Sequence, residues 1–202
     1  MIFLFDIGRV LLDFDFKSSL AQLMPADTRN PDERLDRLLQ RKDELEAGLI
    51  NAESYTRWAL DILGSHATAS QFHQAWQQIF TVNKPMWHCI RKLAADGHRL
   101  VLISNISTLH CPWIFDAYPE FSYFESAVLS FETGFIKPQP EIYQQAITAH
   151  ELDPAHTFYI DDMPQNIAVG KRFGFHCWQY NLHNHHAFEL WLEKALKSKI
   201  AP

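Results

Sequence analysis

The sequence contains few cysteines, and they are far apart. Its 202 residues include only Cys89, Cys111 and Cys177. An odd number of cysteines without close spacing argues against both a disulfide framework and a zinc site. We therefore expect a protein of a reducing compartment, the cytoplasm.

Long apolar runs and an excess of positive charge are also missing. No stretch approaches the ~18 apolar residues that a membrane-spanning helix needs. The apolar residues 1–7 are too few for a secretion signal, and Asp6 interrupts them. The formal net charge is −6 with neutral histidines, which gives no general attraction for nucleic acid or anionic lipid. We therefore expect that the protein binds neither nucleic acid nor membranes. We also expect a monomer.

Short unbroken apolar runs are present instead, and they recur along the chain. Such runs are typical of strands buried on both faces of a parallel sheet. Segments with helical spacing of apolar residues separate them from about residue 84 onward. This alternation predicts an α/β fold with a doubly wound, parallel, Rossmann-like sheet of about five strands. The runs are residues 2–5, 99–103, 126–129, 157–160 and 175–179.

One region departs from this alternation. Residues 16–83 contain three charge-rich amphipathic segments, at 32–47, 52–63 and 69–80, and no convincing strand. The simplest explanation is a helical segment inserted after the first strand. We therefore predict a Rossmann-like core formed by residues 1–15 and 84–202, with an all-helical cap formed by residues 16–83.

Polar side chains follow three of the predicted strands. In open α/β sheets the ligand crevice lies beyond the carboxyl ends of the strands, so these side chains are expected to converge. A basic residue, Lys137, precedes Pro138 at the start of a predicted helix and is expected to join them. The strand-end residues are Asp6, Ser104 with Asn105, and Asp161 with Asp162.

These residue types fit phosphoryl transfer. A carboxylate such as Asp6 can attack phosphorus and form an acyl phosphate, which divides hydrolysis into two steps. Mg²⁺ binds a few carboxylates together with water and substrate oxygens, and the strand-end acids could supply them. Ser104, Asn105 and Lys137 could bind the phosphoryl oxygens.

Four segments, in this order, resemble the haloacid dehalogenase superfamily, specifically its phosphatases with a helical cap. The sequence is similar to the small bacterial sugar-phosphate phosphatases, including the α-D-glucose 1-phosphate phosphatase type. The resemblance spans nearly the whole chain and implies a Mg²⁺-dependent phosphatase that forms an aspartyl phosphate with a small phosphorylated metabolite. The segments are Phe5-Asp6-Ile7-Gly8 with Val10-Leu11, Ile103-Ser104-Asn105, Ile136-Lys137-Pro138 with Glu141-Ile142-Tyr143, and Tyr159-Ile160-Asp161-Asp162 with Asn166.

The resemblance also implies roles for single residues. Asp6 would be the nucleophile and a metal ligand. Lys137 would bind phosphate and hold the charge of the nucleophile. The remaining roles are phosphate binding by Ser104 and metal binding by Asp161, Asp162 and the backbone carbonyl of Gly8, with Asp162 favoured as the direct ligand.

Two positions depart from the pattern of the family. Its phosphatases usually carry a second Asp, the general acid and base, where this sequence has Gly8, although some sugar phosphatases resemble it in having Gly. Losing a general acid forfeits about 10²–10⁴ in rate, so Asp13 or Asp15 could act instead. Arg9 could bind phosphate or a substrate carboxylate in a bidentate manner, or it could point outward and pair with an acidic cap residue.

Two other functions are considered. A 2-haloacid dehalogenase would use Asp6 without a metal. The adjacent acids Asp161 and Asp162 argue against this function, because a site that binds an anion without a metal gains nothing from two carboxylates. A catalytically weakened phospholigand-binding module has only Gly8 and Arg9 in its favour. The phosphatase is therefore the main prediction.

Overall fold

The computed structural model describes residues 1–200, except the side chains of residues 198–200. Its strands, numbered in chain order, form two sheets. The strands are β1 (Ile2–Phe5), β2 (Leu12–Phe14), β3 (Phe80–Val82), β4 (Arg99–Ser104), β5 (Ser126–Leu129), β6 (Thr157–Asp161) and β7 (His176–Gln179). The main sheet has the order β5-β4-β1-β6-β7 and is entirely parallel. This confirms the predicted five-stranded Rossmann-like sheet.

Helices fill the intervals between the strands. Five lie between β2 and β3, and six follow β3. None of the helices within residues 1–200 is long and apolar enough to cross a membrane. In chain order they are α1 (Phe16–Ala21), α2 (Pro31–Leu39), α3 (Lys42–Glu46), α4 (Ala52–Leu63), α5 (Ala69–Gln77), α6 (Lys84–Ala95), α7 (Trp113–Ala117), α8 (Ser130–Thr133), α9 (Pro140–Ala149), α10 (Pro164–Arg172) and α11 (His185–Ile200).

Both faces of the main sheet are covered by helices. Successive side chains of a strand point to opposite faces, so Phe3 and Phe5 pack with α6, α7 and α11, whereas Ile2 and Leu4 pack with α9 and α10. Since both faces are apolar, the central strands read as unbroken hydrophobic runs in the sequence.

Helices α1 to α5 form a separate body, which we call the helical insert (residues 16–77). Its apolar side chains make a cluster of their own around the buried Tyr55, Phe72 and Trp76. Leu109, from the loop after β4, joins this cluster. The insert therefore has its own small core and also touches the core domain near the carboxyl end of β4.

The prediction of an all-helical segment over residues 16–83 missed one strand. β3 pairs with β2 in an antiparallel ribbon, with Phe14 opposite Phe80 and Leu12 opposite Val82. Asn83, directly after β3, donates a hydrogen bond of 2.6 Å from its side chain to the carbonyl of Val10. The chain thus enters and leaves the insert through a paired ribbon. A three-residue strand that directly follows a helical pattern gives no separate signal in the sequence.

The predicted helix over residues 32–47 is two helices. α2 ends at Leu39, and α3 begins again at Lys42 after a break at Gln40 and Arg41. Gln40 still caps α2 with helical backbone angles, whereas Arg41 leaves the helical region at φ −100° and ψ 9°. The break at Arg41 thus separates α3 from α2.

Candidate active site

A cavity of about 390 Å³ lies at the carboxyl ends of β1, β4 and β6, between the core and the helical insert. Every residue that the sequence predicts for the site borders it except Asp161. The parallel sheet therefore brings together side chains that are far apart in the sequence. The predicted residues at the cavity are Asp6, Gly8, Arg9, Ser104, Asn105, Lys137 and Asp162.

Asp6 is anchored through one of its two carboxylate oxygens. Its Oδ1 accepts hydrogen bonds from the backbone N–H of Ile7 (2.7 Å) and the hydroxyl of Ser104 (2.8 Å), and it lies 2.8 Å from Nζ of Lys137. No residue within the described range donates to Oδ2. The carboxylate is thus fixed in orientation while one oxygen stays available for a ligand or for attack.

Lys137 is a buried cation held between two carboxylates. Its Nζ lies 2.7 Å from Oδ2 of Asp161, in addition to its contact with Asp6. Burial by itself lowers the pKa of Lys137, but the charges of Asp161 and Asp6 outweigh burial and raise the pKa above its ordinary value. Lys137 is therefore a fixed positive charge in the wall of the cavity.

Asn105 holds the backbone of Lys137. Its Oδ1 accepts a hydrogen bond of 2.7 Å from the Lys137 N–H, and its Nδ2 donates one of 2.9 Å to the Lys137 carbonyl. Both polar atoms of the Asn105 side chain are thereby engaged. Asn105 thus keeps Lys137 close to the nucleophile, and its predicted role in phosphate binding stays a prediction.

Asp161 is completely buried behind the cavity, and donors occupy both of its oxygens. Oδ2 accepts from Tyr159 (2.6 Å) as well as from Lys137, and Oδ1 accepts from the N–H of Met163 and from Asn166 (2.9 Å each). Burial opposes ionisation of Asp161, but Lys137 and the hydrogen bonds prevail and lower its pKa. Asp161 is thus an ionised anchor for Lys137.

Asp162, unlike Asp161, is not paired with a lysine. No cation within residues 1–197 lies within ion-pair distance of its carboxylate. Burial, together with the charges of Asp6 and Asp161, raises the pKa of Asp162 to about 7. Carboxylate oxygens of the three acids lie within 4.8 Å of one another. This excess of negative charge, in oxygen ligands, fits a hard divalent cation such as Mg²⁺.

Gly8 lies beside this acidic group. No described residue donates a hydrogen bond to its backbone carbonyl. A Cβ atom at this position would lie 3.0 Å from Cε1 of Phe14, which is closer than side chains normally pack. A side chain at position 8 would thus press against the ring of Phe14.

One of the two roles predicted for Arg9, pairing with an acidic cap residue, is wrong, and the other, binding of phosphate or a substrate carboxylate, stays a prediction. Its guanidinium pairs with Asp13 at 2.6 Å, donates to the carbonyl of Phe14 at 3.1 Å, and lies 4.7 Å from the centre of the Phe14 ring. These partners belong to the β2 segment and not to the insert. Arg9 therefore braces the ribbon while bordering the cavity.

Asp13 and Asp15 are the candidates from the sequence for the role of the missing general acid. Asp13 is paired with Arg9, and Asp15 caps α1 by accepting hydrogen bonds from Lys17 and Ser18. Hydrogen bonds from Ser18 lower the pKa of Asp15. Neither side chain borders the cavity. Neither is therefore placed to transfer a proton to a substrate there.

The cavity also contains residues outside the predicted set of site residues. His110 is buried, and its Nε2 donates to the carbonyl of Trp76 over 3.1 Å. Burial lowers the pKa of His110 to about 3, so the ring is neutral. Phe80 packs edge-on against this ring. Together they form an apolar side of the cavity.

Helix α3 supplies the charged side of the insert. Lys42, Asp43 and Glu46 all border the cavity, and Nζ of Lys42 lies 2.5 Å from Oε2 of Glu46. Lys–Glu pairs four residues apart are common on solvated helix faces. The sequence pattern therefore gave no sign that this pair lies in the site.

A second group of potential metal ligands lies apart from this cavity. Cys89, His185 and Glu189 approach one another within 4.8 Å. Burial raises the pKa of Cys89 to about 11, so its sulfur is a thiol, and it lies 3.6 Å from Nε2 of His185. A thiol–imidazole hydrogen bond accounts for this contact.

Comparison with known proteins agrees with this geometry. The chain is 30% identical over 186 residues to a D-ribitol-5-phosphate phosphatase of Bacteroides thetaiotaomicron, covering 87% of this chain and 89% of that protein. A haloacid dehalogenase family enzyme of the same organism, solved with magnesium and inorganic phosphate, has a TM-score of 0.76 at 25% identity. That alignment covers 90% of this chain and 94% of the other.

A third similar protein is a HAD-like family hydrolase of Porphyromonas gingivalis. Its structure matches with a TM-score of 0.75 at 25% identity, covering 95% of this chain and 97% of the other. The family model described as haloacid dehalogenase-like hydrolase matches residues 1–174. The chain therefore belongs to the haloacid dehalogenase-like hydrolase family.

Proposed function

We propose that this chain is a Mg²⁺-dependent phosphatase that hydrolyses a small sugar or polyol phosphate through an aspartyl phosphate on Asp6. The observation that carries the proposal is the state of Asp6. Its Oδ1 takes three donors while Oδ2 is left free at a cavity. A nucleophile needs this combination of fixed orientation and an unbonded oxygen.

The first step is attack of Asp6 Oδ2 on phosphorus. A bond forms between this oxygen and phosphorus as the bond to the substrate oxygen breaks, and that oxygen takes up a proton. Lys137 keeps its positive charge beside Asp6 throughout, and Ser104 donates to the same carboxylate. In the second step water attacks phosphorus, phosphate leaves, and Asp6 is regenerated.

The proposed Mg²⁺ ligands are Asp6, Asp162 and the backbone carbonyl of Gly8. Each has an oxygen without a hydrogen-bond donor among residues 1–197. When bound, Mg²⁺ offsets the repulsion between the carboxylate and the anionic phosphoryl group. Asp161 takes no direct part in this set, because its oxygens are occupied by Lys137 and three other donors.

The proposed substrate class rests on the size and lining of the cavity. A volume of about 390 Å³ lies within the range of small-molecule sites. The charged α3 residues could bind hydroxyl groups, and Phe80 with His110 could contact a carbon chain. The relative that hydrolyses D-ribitol 5-phosphate points to a polyol phosphate. We infer that the insert closes over the substrate and excludes water during the first step.

A metal-free 2-haloacid dehalogenase is the competing function, and no observation favours it. The unpaired Asp162 beside Asp6 would repel a haloacid carboxylate. Cytoplasmic location and the monomeric state stay predictions from the sequence.

The test is release of inorganic phosphate from D-ribitol 5-phosphate, glucose 1-phosphate and p-nitrophenyl phosphate, measured with Mg²⁺ and with EDTA. We expect release that EDTA abolishes and that differs between the two metabolites. A folded protein that releases phosphate from none of these substrates, yet releases halide from a 2-haloacid without metal, would contradict the proposal.

A further inference from the structure

The proposed reaction needs a proton donor that the core domain does not supply. An alcohol oxygen of a sugar or polyol is a poor leaving group unless it is protonated as it departs. Position 8 holds glycine, with Phe14 in the adjacent space, and the carboxylates of Asp13 and Asp15 are engaged outside the cavity. The donor must therefore come from elsewhere in the cavity wall.

In-line displacement indicates on which side to look. The attacking and leaving oxygens lie roughly opposite each other across phosphorus. Asp6 attacks from the carboxyl end of β1, so the leaving oxygen points away from the sheet. The wall of the cavity opposite the sheet belongs to the helical insert, and its charged part is α3. A proton donor on α3 would thus face the leaving group.

Two carboxylates on α3 border the cavity, and their surroundings differ. The side chain of Asp43 is 71% exposed, whereas that of Glu46 is only 8% exposed. Lys42 contacts Oε2 of Glu46, and no described residue donates to Oε1. Glu46 therefore has an oxygen without a hydrogen-bond donor and is largely buried, whereas the side chain of Asp43 is exposed to solvent.

The position of Glu46 is fixed relative to the core. Two residues later, Gly48 adopts φ +69°, and a Cβ there would lie 2.8 Å from the carbonyl oxygen of Phe131 in α8. α8 is itself bonded to the loop after β4, because Ser130 Oγ accepts from the N–H of Ile106 over 2.9 Å. The turn after α3 is thus seated on α8, which is in turn bonded to the segment that follows Ser104.

Three charged groups act on Glu46: Lys42 and Asp43 on its own helix, and Asp6 across the cavity. Burial raises the pKa of Glu46 to about 7; Lys42 opposes the rise, and the charges of Asp43 and Asp6 add to it. A group with such a pKa can both give and take a proton near neutral pH.

We propose that Glu46 is the general acid and base of this enzyme and acts from the insert in place of an aspartate at position 8. The inference rests on the proposed phosphatase function. Protonated Glu46 gives its proton to the leaving oxygen as that oxygen's bond to phosphorus breaks and the bond from Asp6 forms. The resulting carboxylate then takes a proton from water as the water oxygen bonds to phosphorus and the Asp6–phosphorus bond breaks. Phosphate leaves, and Glu46 is protonated again.

The test compares Glu46→Gln with Glu44→Gln, a matched control on the same helix. Glu44 pairs with Arg41, and its side chain is 45% exposed. We expect Glu46→Gln to lower kcat for D-ribitol 5-phosphate by about 10²–10⁴, and Glu44→Gln to stay within threefold of the unmodified enzyme. p-Nitrophenolate leaves without protonation, so the first step should not need Glu46. Glu46→Gln should therefore release about one equivalent of p-nitrophenolate per enzyme rapidly. Later turnover should be slow, because no base takes the proton of the water that hydrolyses the aspartyl phosphate.

A pH profile separates proton transfer from a purely structural role. The kcat/KM for D-ribitol 5-phosphate should fall about tenfold per pH unit above pH 7 in the unmodified enzyme, and this limb should be missing in Glu46→Gln. If Glu46→Gln does not fold, Glu46→Asp keeps the carboxylate and should retain the limb at reduced kcat. An active enzyme whose Glu46→Gln variant changes only KM, or nothing, would overturn this inference alone. An unmodified enzyme inactive on every phosphate ester would overturn the proposed function as well.

Discussion

Lys137 Nζ lies 2.8 Å from Oδ1 of Asp6, and both side chains are almost fully withdrawn from solvent. A charge pair in such surroundings is screened far less than one at the surface. The lysine therefore fixes the position of the carboxylate and favours its ionised form, although burial raises the pKa of Asp6 overall. Since its pKa is raised by Asp161 and Asp6 despite burial, Lys137 serves as a constant positive charge and not as a proton donor.

Replacing the nucleophile should separate activity from stability. We expect Asp6→Asn to lower kcat for D-ribitol 5-phosphate by about 10³-fold or more, because an amide does not form the acyl phosphate. The free energy of unfolding should be unchanged or higher, since Asp6 and Asp161 share Lys137 and the nearby Asp162 adds a third negative charge. Phosphate release and urea unfolding measure the two effects. Near-normal turnover by this variant would contradict the covalent mechanism.

The two neighbouring acids should respond differently to the same substitution. Asp162→Asn should raise the Mg²⁺ concentration for half-maximal activity by about 10–100-fold, with kcat largely restored by excess Mg²⁺. Asp161→Asn should instead lower kcat at saturating Mg²⁺, because it loosens Lys137. Calorimetric titration with Mg²⁺ gives the affinity without relying on turnover. Equal losses of affinity in both variants would show that Asp161 is also a direct ligand.

His110 should make the fold sensitive to acid. Its pKa is lowered to about 3 by burial, whereas an unfolded histidine has a pKa of about 6.5. As the pH falls below 6.5 the unfolded chain takes up a proton that the folded chain excludes, so the folded state loses up to about 1.4 kcal/mol per pH unit. His110→Gln keeps an N–H for the Trp76 carbonyl and removes this titration.

The measurement is urea unfolding of both proteins between pH 7.5 and pH 5. The difference in unfolding free energy should shift in favour of His110→Gln as the pH falls. His186→Gln, at a histidine whose side chain is 77% exposed, is the control and should parallel the unmodified protein. A pH-independent difference for His110→Gln would show that the ring can be protonated in the folded state.

The sheet and the core half of the site could be predicted because both depend on local sequence. A strand buried on both faces is visible as an apolar run, and its carboxyl end is marked by the first polar side chain, as at Asp6 and Ser104. The parallel topology then brings these ends together. The place of Lys137, before a proline at a helix start, likewise predicts that it joins these strand ends.

The insert half of the site could not be predicted because it depends on packing between distant segments. Lys42 and Glu46 read as a solvated pair until α3 is seated against α8. Arg9 and Asp13 likewise show an ordinary four-residue spacing, which gives no sign that the Arg9 guanidinium also contacts the Phe14 ring. The strand β3 contains residues that favour strands, but at three residues it is too short to be recognised without its pairing with β2.

The contact between the turn after α3 and α8 can be tested by replacing two glycines and measuring the free energy of unfolding. Gly48 and Gly134 have similar backbone angles, φ +69° and φ +76°, but only Gly48 lacks space for a Cβ, because the carbonyl of Phe131 is 2.8 Å away. Alanine at either position must adopt a left-handed backbone conformation, which lowers the free energy of unfolding by about 1–2 kcal/mol. Gly48→Ala should lose at least about 1 kcal/mol more, since a backbone atom must move.

The same two alanine variants test whether the contact of Gly48 with Phe131 matters for turnover. A displaced α3 carries Lys42 and Glu46 away from the nucleophile, so Gly48→Ala should lower kcat for D-ribitol 5-phosphate about tenfold or more, whereas Gly134→Ala should retain it. Both variants are assayed at a temperature where urea unfolding shows them fully folded. Equal activity of the two variants would mean that the position of α3 does not limit the reaction. Loss of activity in Gly48→Ala alone would show that the contact with Phe131 holds the insert half of the site in its working position.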